Sequence, residues 1–456
     1  MWRAEDRRRA LGQRLAHIEE AVTDLGSRPD QLTHGARVLI ESLGQLFERI
    51  RGHFDAFWEE YSQLPDPDER DRFQSELCGA VLEVVKYLAE TVVPVISGAD
   101  SRLVPVELEQ ALRAAVRTVP NPDANPAQIP VLHASNPYNY GIEEMPHQRR
   151  VWVRQIGPPH DLATDEVDPP DFLFFSVPLM EKDAAFLHSI LLGHEIGHLW
   201  DWRFGITNGL LPPVGTAVTR QEKLKRDIEG QWVNELVADV LSCYLLGPVA
   251  VFSLLELANV TTTLNLDLTT HPSPQRRIKL MIEVLDEQGE FRIDGSEGDV
   301  DVLAAERERT SGAWEEAVHG RGFYEEHDAA GAWQWVKDRL PELRKECADA
   351  FKEGLREPFS VDDWVRAAAA SEVLSRGMPC GDELGDDGKS RPVPVPVILN
   401  AAFRAKIGGL ADLGQQLAIE VTPTSPLGQA NRVNEVLDLL ALKSMEISGQ
   451  LAAPNA

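Results

Sequence analysis

From Ala10 to Tyr61 the apolar residues recur every three or four positions: Leu11, Leu15, Ile18, Val22 and Leu25, then Leu39, Leu43, Leu46, Ile50, Phe54, Phe57 and Tyr61. That spacing predicts two amphipathic helices folded as a hairpin, with Phe47, Phe54, Phe57 and Trp58 forming an aromatic stripe that packs into a core. The acidic, proline-marked LPDPDERD at 64–71 interrupts the pattern before a third helical stretch from about Phe73 to Val93. At 119–130 four prolines and two asparagines in twelve residues predict a linker.

Beyond the linker the period changes from helical to alternating. Residues 130–134, 150–156 and 171–177 are short β-branched and aromatic runs bounded by Pro, Gly and Asn, and they predict strands. From Met180 the pattern is helical again. Further helices are expected near 301–318, 330–354, 361–376, 398–420 and 429–450, with 377–397 an exposed loop that ends in extended chain. The expected fold class is α+β and predominantly helical. It comprises an N-terminal helical region (1–118), the linker (119–130), a small mixed domain (131–295) and a C-terminal helical region (301–456).

Charge narrows the function classes. With 73 acidic against 45 basic residues the net charge is −28, a field that repels phosphate backbones, so nucleic-acid binding is not expected. Four scattered cysteines form no C-x-x-C pair and suggest neither a disulfide framework nor a thiolate metal knuckle, which fits a reducing compartment. The charged N-terminus lacks the apolar core of a signal peptide, and the most apolar stretch, 240–260, carries Gly247, Pro248 and Glu256, so a buried helix and turn is expected there, not a membrane span. The expected location is cytoplasmic.

The candidate chemistry sits in the helical stretch 184–203. His194-Glu195-Ile196-Gly197-His198 places two imidazoles one turn apart on one helix face, where both can hold one cation, while Glu195 lies about 100° further round, beside the cation, as a general base. His188, six residues before His194, falls off that face and is expected to pack. A second helical segment carries Glu235, a candidate third ligand, and Asp239 one turn beyond it, which can accept the other ring N–H of a ligating histidine. Two histidines and one carboxylate leave an open position, the mark of a catalytic Zn2+ site more than of a structural one.

The order His194-Glu-x-x-His198 followed by Asn234-Glu-x-x-x-Asp239 resembles the gluzincin metallopeptidases. The surrounding segments are similar to the group of CAAX prenyl proteases and heat-shock-induced membrane metalloproteases, with a strand before the first helix and Thr270-His271-Pro272 and Arg277-Ile278 after the second. The resemblance covers about 131–285 and implies a zincin-like core, one zinc ion per chain and hydrolysis of a peptide or protein substrate. It implies that His194, His198 and Glu235 are ligands, Glu195 the base, Asp239 the support of a ligand, and His271 a donor to the oxyanion. Arg277 is expected as a structural ion-pair partner. The rival metzincin pattern is excluded by Asp201 and Phe204. In folds of this kind the preceding strand is a sheet edge that receives substrate, which here implicates Phe172, Phe174, Phe175 and Ser176. The competing expectation is a catalytically silent zinc scaffold that binds a protein partner through its helical flanks, since two-thirds of the chain lies outside the resemblance.

Overall fold

The computed structural model describes residues 4–120, 128–135, 140–144, 172–181, 184–211, 220–261, 267–287, 292–293, 300–301, 332–354, 356–385, 388–407, 414–415 and 426–452. The strand expected at 150–156 and the helix expected near 301–318, apart from Asp301, lie outside the described residues, as does 121–127 of the linker. What is described is mostly helical with a small sheet.

The chain divides into two compact units, 1–109 with 124–182, and 110–123 with 183–456. In the first, α1 (Ala4–Gly26), α2 (His34–Ser62) and α3 (Pro67–Tyr87) bury the stripes read from the sequence. The break at 64–71 becomes a start signal, because Asp66 accepts a hydrogen bond from the Asp68 N–H and Pro67 opens the first turn of α3. Pro94 does not stop the helical run. Hydrogen bonding widens to a π-helical turn at Leu88–Val92, and α4 (Val93–Gly98) begins with Pro94 in its first turn, where a missing N–H is tolerated. The helix α5 (Val106–Thr118) carries the chain across residue 109.

Three strands, β1 (Ile129–Ser135), β2 (Gly141–Glu144) and β3 (Phe172–Pro178), form a sheet in the order β1-β3-β2, with β1 parallel and β2 antiparallel to β3. Phe175 lies in register with Leu132 on one side and Ile142 on the other. This corrects the expectation of a substrate-receiving edge at Phe172, Phe174, Phe175 and Ser176: β3 is the central strand, paired with β1 over Phe172–Pro178 and with β2 over Leu173–Ser176. The strand is buried at all but Ser176, the pattern of a strand covered on both faces. Val131, Phe172 and Phe174 join the same hydrophobic cluster as the stripes of α1 to α3. The sheet therefore groups with the N-terminal helices, and the change of sequence texture near residue 130 marks a change of period and not the edge of a core.

In the second unit a π-helical turn (Ile190–Glu195) leads into α6 (Ile196–Phe204), followed by α7 (Ile206–Leu210), α8 (Arg220–Leu246), α9 (Pro248–Thr261) and α10 (Pro274–Glu287). After the short strands β4 (Arg292–Ile293) and β5 (Val300–Asp301) come α11 (Trp333–Lys337), α12 (Leu340–Glu353) and α13 (Val361–Ser375). The expected loop at 377–397 contains a hairpin of β6 (Asp382–Leu384) and β7 (Ser390–Pro392), and its extended end is instead the start of α14 (Val395–Ile407); α15 (Pro426–Ala452) ends the described chain. The apolar stretch 240–260 is the end of α8, a turn at Gly247 with φ +66°, and α9. Among the described residues no helix is long and apolar enough to cross a membrane. All four cysteines are buried and free.

Buried Asn400 of α14 holds that turn, its side-chain oxygen accepting from Val249 N–H at 3.0 Å and its amide donating to the Leu246 carbonyl at 2.7 Å. Asn400 thus ties α14 of the C-terminal helical region to the end of α8.

Candidate metal centre

Helices α6 and α8 run antiparallel at close range, and the sequence explains the distance. Gly193, Gly197 and Asp201 recur every fourth residue and make one ridge. A Cβ at Gly193 would stand 2.7 Å from a Leu246 methyl, and one at Gly197 would stand 2.7 Å from the Ala238 carbonyl oxygen. The two glycines that weaken the helix by propensity are the ones that let the second helix approach. Asp201 closes the ridge: its carboxylate accepts from Asn234 Nδ2 at 2.7 Å, from Thr207 N–H at 2.7 Å and from the Thr207 hydroxyl at 2.6 Å, tying α6 to α7 and α8.

This docking sets His194 and His198 against Glu235. His194 Nε2 lies 3.2 Å from Glu235 Oε2, His198 Nε2 lies 3.6 Å from Glu235 Oε1, and the imidazole centroids are 4.7 Å apart. One ligand atom from each of the three residues lies within 4.8 Å of the others, so the group can hold a metal ion. Both imidazoles turn Nε2 toward Glu235, and Asp239 Oδ1 stands 3.0 Å from His194 Nδ1, where it accepts from the ring N–H and orients the ring. His194 is part of the π-helical turn and not of a regular α-helix, a distortion that recurs where helices carry function. Glu195 is buried one residue on. His188 is fully buried, in keeping with packing.

Arg277, on α10, donates to both oxygens of Asp239 at 2.8 Å, and its Nη2 also reaches Glu235 Oε2 at 3.5 Å and the His194 ring at 3.3 Å. The ion-pair partner expected from the sequence is therefore inside the site. His271 arrives on a pinned turn: Trp232 Nε1 donates to the Leu268 carbonyl at 2.9 Å, Leu268 N–H donates to the His271 carbonyl at 2.9 Å, and buried Asp267 accepts from Ser273 N–H and the Arg276 guanidinium. His271 Nδ1 pairs with the Thr270 hydroxyl at 2.8 Å and its Nε2 faces Glu235 Oε2 at 3.4 Å.

These contacts set the charge states. Burial pulls His194 down, but hydrogen bonds to Asp239 and Glu235 outweigh it and push the imidazole up to about 10. Burial and then the His194 charge lower His198 to about 4, so it is a neutral donor at pH 7. Burial would raise Asp239, yet the Arg277 guanidinium and His194 hold it down at about 2. Glu235 is likewise held below the usual carboxylate range, burial being overcome by His194 and Arg277. His271 is lowered by burial and by the neighbouring cations.

Sequence reasoning gave Asp201 no role beyond excluding a rival pattern, and did not use Asn234 as a contact. The signal for Asp201 was the four-residue spacing after Gly193 and Gly197, a small-residue ridge ending in a carboxylate. Comparison with known protein families, characterised proteins and solved structures finds no match to this chain.

Proposed function

We propose that the protein is a zinc-dependent endopeptidase with a gluzincin-like core. The observation that carries this reading is the convergence of two Nε2 atoms and one carboxylate in a buried cluster, with Glu195 next in chain to one ligand. The donor set fits the ion: neutral His198, a carboxylate held ionised at Glu235, and a His194 that would give up its Nε2 proton to the ion while Asp239 holds its Nδ1–H. His194, His198 and Glu235 would hold zinc, which when bound would supply Lewis-acid polarisation of a scissile carbonyl and of the attacking water.

The remaining steps belong to side chains of this chain. The Glu195 carboxylate accepts the proton of the attacking water and afterwards passes it to the leaving amine. His271, held by its pinned turn, donates to the carbonyl oxygen as negative charge grows there, a type of contact worth roughly 3–4 kcal/mol in other hydrolases. Asp239 keeps the His194 proton on Nδ1, so that Nε2 remains the donor atom.

The test is hydrolysis of unfolded casein by the pure full-length protein, with zinc measured on the same sample. Glu195→Gln is expected to abolish cleavage while zinc content stays near one per chain. Zinc bound without any hydrolysis by the wild-type protein would instead favour a metal-stabilised scaffold acting through bound partners.

A further inference from the structure

Trp202 belongs to α6, where Leu199 and Trp200 are fully buried, yet 43% of its surface is open to solvent. It stands four residues after His198, hence one turn along the helix, about 6 Å in rise, and some 40° round from the ligand. Gly197 and Asp201, which face α8, lie on the other side of His198 by the same helical count. The indole therefore lies close to the His198 face of the helix, away from the seam with α8 and half open to solvent, and among the described residues it makes no ring stacking or cation–π contact. Leu268 repeats the arrangement on a different element. Its side chain is 44% exposed, while its own N–H and carbonyl are held by the His271 carbonyl and Trp232, so the turn that delivers His271 also presents an apolar side chain outward.

A single exposed apolar residue on a protein surface is ordinary. Here the two are placed by rigid backbone, and each is linked through its own element to a residue of the site. An extended peptide advances about 3.4 Å per residue. A ring one helical turn from a ligand can therefore meet the side chain of a residue adjacent to the scissile bond.

Building on the proposed peptidase reading, we infer that Trp202, with Leu268 beside the His271 turn, is a specificity-determining residue that selects peptides carrying a large apolar or aromatic side chain next to the cleaved bond. Contact of such a side chain with a half-open indole removes apolar surface of both from water, and contacts of this size typically discriminate by about 10-fold or more.

The experiment uses the zinc-loaded full chain and two zinc-directed inhibitors, acetohydroxamate and a peptide hydroxamate with a benzyl side chain. The wild-type protein is expected to bind the benzyl compound at least about 10-fold more tightly than its alanyl counterpart. Trp202→Ala should reduce that preference to below about 3-fold, and Trp202→Phe should largely keep it. Acetohydroxamate affinity and zinc content should be the same in all three proteins, and Leu384→Ala, which removes an exposed leucine of the β6–β7 hairpin, should leave the preference intact. A preference that survives Trp202→Ala, or a wild-type protein that shows none, overturns the inference while leaving the zinc site standing. A chain that takes up no zinc overturns the peptidase reading and this inference with it, and the metal measurement tells the two failures apart.

Discussion

Asp239 is the residue on which the centre turns, because it serves two cations at once: it orients His194 through Nδ1 and neutralises Arg277 through both carboxylate oxygens. Asp239→Asn keeps the volume and loses the charge. Zinc affinity measured against a competing chelator should fall by about 10–100-fold, the usual effect of weakening such a support. Arg277→Met acts differently, since it takes the bidentate partner from a buried carboxylate and leaves it His194 alone. Urea unfolding should report a loss of about 3–5 kcal/mol even without metal. The grouping of His194, His198, Glu235 and Asp239 was legible because helical spacing converts sequence distance into direction. The reach of Arg277 was not, because nothing in a linear sequence tells how α10 lies on α8, only that a cation stands 38 residues after Asp239.

At the scale of elements, the pairing of α6 with α8 depends on the absence of a side chain. Gly197→Ala puts a methyl 2.7 Å from the Ala238 carbonyl oxygen and 2.9 Å from its Cα, both backbone atoms that cannot rotate away. The helices must separate, and both zinc content and melting temperature should drop, although alanine is the better helix former. A variant with wild-type zinc and stability would show that the two helices are not held by this contact. The strand β3 teaches the complementary lesson. Its existence and nearly its limits were readable from alternation and aromatic content, but its place in the sheet was not, because β1 parallel and β2 antiparallel are choices made by tertiary packing. Phe175→Pro removes a backbone donor from a strand paired on both sides. Circular dichroism on heating should show a destabilised fold, and a protein that melts like the wild type would contradict the central position.

For the molecule as a whole, the sequence conveyed a mostly helical chain with a short sheet, but not how its parts group. A change of texture need not mark the edge of a core, since hydrophobic cores are shared across such changes, as Val131 and Phe174 share one with α1 to α3. The C-terminal helices enter the metal unit through polar links as well. Asp438 of α15 is raised to about 7 by burial, against the pull of Lys406 and of the Ala185 and Phe186 backbone N–H groups, with the charge of Glu256 also raising it. A carboxyl group with a raised folded-state pKa binds more protons folded than unfolded between about 4 and 7, so its contribution to stability declines as pH rises through that window and is flat above it. Asp438→Asn should therefore melt with the wild type at pH 4 and above it at pH 8. The opposite order at pH 8 would mean that the ionised form is the stabilising one.

Asn400 couples the turn between α8 and α9 to a residue 151 positions beyond Val249. During synthesis this means that both motifs of the centre leave the ribosome long before the group that seats the far end of α8. Until residue 400 emerges, the Leu246 carbonyl and Val249 N–H must find water, and α8 can fray from the end that Gly193 packs against. Closing so long a loop is slow compared with forming a helix. A nascent chain stalled before α14 should then hold zinc weakly and be cut readily by added protease near Gly247, whereas one extended past α15 should resist. Metal capture would be timed by the last third of the chain, long after the ligands themselves have been made.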